Sequence, residues 1–122
     1  MEKIHMKNEI YTIYHLSLVP TNFPAFETLI TRIVDATSKE PDTLTYEYLV
    51  SEDHTAVHII ERYRPAGIIP HSDTTFAPFA EEFLSLARIE KLFVYGETTP
   101  EIRARLDRFD ALYFSSFAGF SR

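Results

Sequence analysis

Polar residues set into otherwise apolar segments are where this chain could do chemistry. Glu47 lies within Thr43–Val50, and His58, Glu61 and Arg62 lie within 56–64. The two runs flank Glu52-Asp53-His54-Thr55, a short polar stretch that reads as a hairpin turn. Pairing Glu52 with Thr55 sets Tyr46 opposite Glu61 and Tyr48 opposite Ile59 on one face, with Glu47, Leu49, His58, Ile60 and Arg62 on the other. Glu61 then sits beside tyrosine hydroxyls, and Glu47 reaches Arg62 or His58 diagonally. These are either satisfied pairs that hold register or, at Glu61, a carboxylate of perturbed pKa facing a cavity. His71 follows Pro70 near the start of a helical stretch. Its imidazole either faces the gap between sheet and helix as a base or is a helix-terminal histidine with no chemistry.

Much other chemistry is excluded. The chain has no cysteine, so disulfides, thiolate nucleophiles and cysteine metal sites are ruled out. Of its five histidines, His5 and His54 fall in a tail and a turn, where solvent is the expected partner. His15 and His58 lie on strands that become neighbours, but without a fixed acidic ligand they do not make a metal site, and none is expected. Only three glycines occur, Gly67, Gly96 and Gly119, too few and too scattered for a phosphate-binding loop. The net charge of −6 disfavours nucleic acid. Arg103, Arg105 and Arg108 are broken up by acids and read as a solvated helix face. No segment has the length and apolarity of a membrane span, and the first nine residues do not resemble a signal peptide. The expectation is a cytoplasmic protein without membrane or nucleic-acid partners.

The elements that position these residues follow from periodicity. At 122 residues the chain has the length of one domain. Residues 1–9 read as a frayed lead-in. Ile10–Val19 alternates as a strand and ends at Pro20. Phe23, Phe26, Leu29, Ile30, Ile33, Val34 and Thr37 form a helical stripe, with Thr21 or Asn22 as its cap. The hairpin strands follow, and Pro65 closes the second. A helical region over 66–87 is interrupted by Pro70 and Pro78, and Ile89–Tyr95 is a fourth strand. The order strand–helix–strand–strand–helix–strand predicts an α+β, ferredoxin-like βαββαβ domain over 10–96: a four-stranded antiparallel sheet with helices on one face. Residues 97–122 form an extension, with a helix from Pro100 to Phe109, started at Thr98 or Thr99, and a strand from Leu112.

With helices on one face only, the other should be polar. It is not: Tyr11, Ile13 and Val19 oppose Ile10, Tyr14, Leu16 and Leu18, while Ile89, Phe93 and Tyr95 oppose Leu92 and Val94. A contiguous apolar sheet face needs a cover. A second copy of the sheet, packed face to face as a homodimer, supplies one.

The ordered set Glu40-Pro41-Asp42-Thr43-Leu44-Thr45-Tyr46-Glu47, then Asp53, Glu61-Arg62-Tyr63 and His71 resembles the antibiotic biosynthesis monooxygenase family over residues 10–96. Asp42 stands where that family usually has glycine, and Asp tolerates a left-handed backbone better than most residues. The resemblance implies a dimeric α/β barrel. It also implies a cofactor-independent monooxygenase acting on a small electron-rich aromatic, such as a quinol, a phenol or a polyketide-like ring, with dioxygen. On that reading His71 is the base, Tyr63 and Arg62 are donors and Glu61 orients, while Tyr46, His58, Phe79 and Phe83 contact substrate. A haem-binding or haem-degrading relative and a non-enzymatic small-molecule binding dimer are the alternatives that the fold allows.

Overall fold

A computed structural model of the chain describes residues 8–122. His5 and most of the expected lead-in over 1–9 lie outside the described residues. Strand β1 (Ile10–Leu18) alternates as its sequence requires, burying Ile10, Thr12, Leu16 and Leu18 on one face. A single 3-10 turn at Pro20–Asn22 leads into helix α1 (Phe23–Thr37). Its buried stripe is Phe26, Leu29, Ile30, Ile33 and Thr37, while Val34, read as part of that stripe, is exposed. The expected side-chain cap is not made. The turn already sets the entry angle, and the Asn22 amide instead donates to the Leu86 carbonyl at 3.4 Å.

Strands β2 (Thr43–Val50) and β3 (Ala56–Tyr63) pair in the register read from the sequence, with Tyr46 opposite Glu61 and Tyr48 opposite Ile59. The turn between them is pinned by Asp53, whose Oδ1 accepts from Ser51 Oγ, Thr55 N and Thr55 Oγ1. His54 was expected in solvent. It takes a positive φ of 59° and lays its ring 4.1 Å from that of Phe23. Asp42 does not take the left-handed conformation that the resemblance suggested, since among the described non-glycine residues only Asn8, His54 and Asp110 have positive φ. The glycine requirement at this corner sits on the approaching chain. A Cβ on Gly67 would lie 2.8 Å from the Asp42 carbonyl oxygen.

After Pro65 the chain makes a broken helical layer. It runs through α2 (Ile68–Pro70), a π-helical segment at His71–Phe76, a 3-10 turn at Ala77–Phe79 and α3 (Ala80–Leu86). Pro70 and Pro78 bracket this irregular stretch, as expected of residues that cannot donate to the helical ladder. Strand β4 (Ala87–Tyr95) then pairs with β1 through a bulge. His15 and Leu16 face Lys91 and Ile89, so Glu90 is the extra residue. The bulge corrects the sequence reading: Ile89 turns to the helix side, away from the face of Phe93 and Tyr95.

Helix α4 (Pro100–Leu106) starts where Thr99 Oγ1 accepts from Ile102 N at 3.2 Å and continues as a 3-10 turn through Phe109. Strand β5 (Leu112–Phe114) runs parallel to β4, as a helical crossover allows. The sheet therefore has five strands in the order β2-β3-β1-β4-β5: the four of 10–96 are antiparallel, as expected, and the strand of the extension is parallel to its neighbour. Two buried clusters lie on the helix side. One joins α1, α3 and the upper strands around Phe26, Leu29 and Phe83. The other joins Ile10, Tyr63, Leu92 and Val94 to Ile102 and Leu106 of α4. The opposite face carries Ile13, Ile60, Phe93, Leu112 and Phe114, and both Leu112 (52%) and Phe114 (47%) are exposed. Among the described residues, no helix is long and apolar enough to cross a membrane.

Candidate functional site

The irregular helical layer does not close over the sheet. Beneath it is a cavity of about 270 Å³. Its floor is Thr12, Tyr14, Tyr46, Tyr48, Glu61 and Tyr63, inward-facing residues of three adjacent strands. Its roof is His71, Phe76 and Phe83, and the extension contributes Leu106, Arg108 and Phe109. The sequence reading named Tyr46, Glu61, Tyr63, His71 and Phe83, and the structure brings these five together.

Three other named residues stand apart. Arg62 and His58 project from the opposite face of β3, because they are one residue out of phase with Glu61. Arg62 is paired there with Glu9, Nε to Oε1 at 2.7 Å, rather than with Glu47. His58 stacks flat on His15, with ring centroids 3.9 Å apart. Phe79 does not line the cavity and lies 5.3 Å under the Arg32 guanidinium. No cluster of three or more potential metal ligands occurs among the described residues.

His71 is 7% exposed, and its ring packs 5.1 Å from Tyr46 and 5.8 Å from Tyr63. Its Nδ1 lies 3.1 Å from Glu40 Oε2 and 3.2 Å from Oε1. Thr43 Oγ1 donates to the same carboxylate at 2.5 Å and fixes its rotamer. A carboxylate on Nδ1 selects the tautomer that carries its proton there, so Nε2 keeps the lone pair and can accept a proton. The sequence reading gave the orienting role to Glu61; the carboxylate in contact with His71 is that of Glu40, 31 residues distant in sequence.

Glu61 is a different kind of carboxyl. It is 5% exposed, and Oε1 accepts from Thr12 Oγ1 at 2.8 Å and from Tyr63 OH at 2.5 Å. Both bonds fall on one oxygen, which leaves Oε2 for a bound molecule. Burial raises its pKa above the ordinary carboxylate value, and nearby His71 offsets part of that rise. Burial, reinforced by repulsion from Glu61, also raises the phenols of Tyr14, Tyr46, Tyr48 and Tyr63. All four tyrosines therefore stay protonated; Tyr63 gives its hydrogen to Glu61 and one of Tyr46 and Tyr48 gives its own to the other, so Tyr14 and the remaining member of that pair can donate to a ligand. Tyr46 and Tyr48 hydrogen-bond each other at 2.8 Å. The arrangement offers an imidazole, a buried carboxyl of raised pKa and hydroxyl donors around an apolar space.

The raised Glu61 pKa has a measurable consequence. In acid the carboxyl is protonated both folded and unfolded, and it contributes nothing to the pH dependence. Above the ordinary carboxylate value the unfolded chain loses this proton first, so the folded state binds more protons and stability falls as pH rises. Glu61→Gln removes the titration. The melting temperature of the variant relative to wild type should therefore rise between about pH 4 and about pH 8. A constant difference across thermal melts in that interval would show that Glu61 ionises normally.

No family model matches the chain, and no curated protein matches it in sequence. Solved structures do match. MupZ from Pseudomonas fluorescens superposes with a TM-score of 0.85 at 24% identity, covering 95% of this chain and 96% of that one. SnoaB, a cofactor-independent oxygenase from Streptomyces nogalater, superposes with a TM-score of 0.59 at 18% identity, over 76% of this chain and 98% of its own. A Nitrosomonas europaea protein provisionally described as an antibiotic biosynthesis monooxygenase gives 0.63 at 19% identity, over 76% and 93%. At these identities the likeness is one of fold. The chain has the α+β, ferredoxin-like fold of antibiotic biosynthesis monooxygenase-type structures, with a C-terminal helix and strand added to it.

Proposed function

We propose that the cavity binds a small electron-rich aromatic molecule and that the chain oxygenates it with dioxygen, without a cofactor. The observation behind this reading is the Glu40–His71 pair opening into an aromatic cavity. Triplet dioxygen reacts slowly with closed-shell organics, but a phenolate can pass it one electron. His71 Nε2 takes the phenol proton. Electron transfer then gives a phenoxyl radical and superoxide. Their recombination forms a C–O bond, and the resulting hydroperoxide loses water to leave a quinone. Atoms balance as phenol plus dioxygen giving quinone plus water. The tyrosine hydroxyls and the Glu61 acid donate to the oxygen anion that develops on the ring. The test is an oxygen electrode with a panel of hydroquinones and polyphenols, using His71→Ala as control. Uptake that requires His71, with labelled oxygen found in the product, supports the proposal; no uptake across the panel rejects it.

A second reading rests on Glu61. A buried carboxyl whose pKa is raised, in one cavity with a histidine, also suits an oxygen-independent reaction in which one group gives a proton and the other takes it. Substrate turnover under argon would favour it. A haem-binding role has less support, because a tetrapyrrole macrocycle exceeds a cavity of about 270 Å³. A purely binding role would be marked by ligand affinity without product.

We also infer a homodimer through the outer sheet face, giving the dimeric barrel. The supporting observation is that Ile13, Ile60, Phe93, Leu112 and Phe114 form one apolar surface with no cover from their own chain. Light scattering should give twice the chain mass at micromolar concentration. Ile60→Lys, which buries a charge at that surface, should give the monomer mass. A monomeric wild type rejects the dimer.

A further inference from the structure

Of the arginines at 103, 105 and 108, Arg103 and Arg108 are exposed, as a solvated helix face requires, but the three differ in what they touch. Arg103 stacks its guanidinium 3.9 Å from the Tyr113 ring. Arg105 clamps Asp73 of the π-helical segment, with Nη2 to Oδ2 at 2.7 Å and Nε to Oδ1 at 3.3 Å. Each of these two cations has a task within the fold, and Arg108 differs. Its Nε donates to the Arg105 carbonyl at 3.0 Å, and Nη2 reaches Ser72 Oγ at only 3.5 Å. Its guanidinium lies 5.7 Å from the Phe109 ring centroid and adds to the pull on Asp73, but Asp73 is bonded to Arg105, and among the described residues Arg108 has no carboxylate within ion-pair distance. Yet Arg108 and Ser72 both line the cavity. Arg108 is itself exposed, so it stands at the mouth.

On a chain of net charge −6, an unpaired guanidinium beside an apolar cavity is a local exception that attracts anions. Its planar fork matches a carboxylate, and the Ser72 hydroxyl beside it offers one more donor. Of the acids deeper in the cavity, Glu61 is pushed toward its neutral form by burial, and Glu40 is hydrogen-bonded to His71 Nδ1. The position also belongs to the extension. SnoaB and the Nitrosomonas protein match about three quarters of this chain, roughly the share made up by residues 10–96, whereas MupZ matches nearly all of it.

We propose that Arg108, presented by the C-terminal extension, anchors a carboxylate on the ligand at the cavity mouth while the ligand's apolar body fills the aromatic interior. The inference rests on reading the cavity as the binding site, and it narrows the substrate class from an aromatic molecule to an aromatic acid. The extension thereby sets specificity as well as covering the core.

The experiment is calorimetric titration of wild type, Arg108→Gln and Arg108→Lys with 2-naphthoate and with its uncharged isostere 2-naphthamide. Wild type should prefer the carboxylate by about tenfold or more, the range of a charge-assisted hydrogen bond. Arg108→Gln should erase that preference and leave amide affinity unchanged. Arg108→Lys should restore only part of it, because an ammonium lacks the fork. Amide binding by wild type with no carboxylate preference, or a preference that survives in Arg108→Gln, would overturn the role of Arg108 and leave the cavity reading standing. Failure of wild type to bind either compound would overturn the cavity as the binding site, and this inference with it.

Discussion

His71→Ala should lower the turnover rate by about 10²–10⁴-fold on any phenol that wild type oxidises, the usual contribution of a positioned general base. The protonated tyrosines cannot replace it, since burial holds all four cavity phenols above their ordinary pKa. The substitution also reaches the packing. His71 is buried against Tyr46, Tyr63 and Phe76, and its removal takes the Nδ1 contact from the Glu40 carboxylate. Some loss of stability should accompany the loss of rate. Glu40→Gln separates the two effects, because it preserves volume and a hydrogen bond to Nδ1. An amide oxygen can still accept from Nδ1–H, but an amide nitrogen turned toward the ring would donate and force the other tautomer. The rate should fall while the circular dichroism spectrum and melting point stay near wild type. Full activity in Glu40→Gln would remove the orienting role from Glu40, and full activity in His71→Ala would remove the base.

How much of this site was legible beforehand depended on how local each signal was. The hairpin register was readable because a four-residue polar turn fixes it, and with it the facing of Glu61, Tyr46 and Tyr48. The same parity argument places Arg62 and His58 on the far face, yet the family resemblance grouped them with Glu61. Resemblance along a sequence carries no information about which side of a strand a residue faces. Glu40 escaped as the partner of His71 because the 30 intervening residues form a hairpin and two turns, and no spacing rule spans them. The bulge at Glu90 was invisible for a similar reason. An inserted residue flips parity without changing composition, and only the pairing of Leu16 with Ile89 reveals it. Arg108 looked like one of three equivalent arginines. What distinguishes it is that Asp73 is already taken by Arg105.

Removing residues 98–122 should lower the melting temperature by at least about 10 °C. The deletion takes away Ile102 and Leu106, which are 2% and 4% exposed in the cluster with Ile10, Tyr63, Leu92 and Val94. A buried Leu or Ile contributes about 1.5–3 kcal/mol, so the pair alone contributes about 3–6 kcal/mol. That is a large part of the roughly 5–15 kcal/mol that holds a domain folded. The Arg105–Asp73 pair adds little, because it is partly exposed. Truncation also uncovers Leu92 and Val94, both fully buried in the intact chain, and opens the cavity on the side of Leu106, Arg108 and Phe109. Ligand affinity should therefore fall with stability. Ile102→Ala with Leu106→Ala tests the packing while keeping Arg108 in the chain, and it should reproduce most of the thermal loss. If the truncated chain kept its melting point, its mass in solution and its affinity for 2-naphthoate, residues 97–122 would be a separate appendage on a self-sufficient domain at 10–96. The carboxylate preference would then have to arise within that domain.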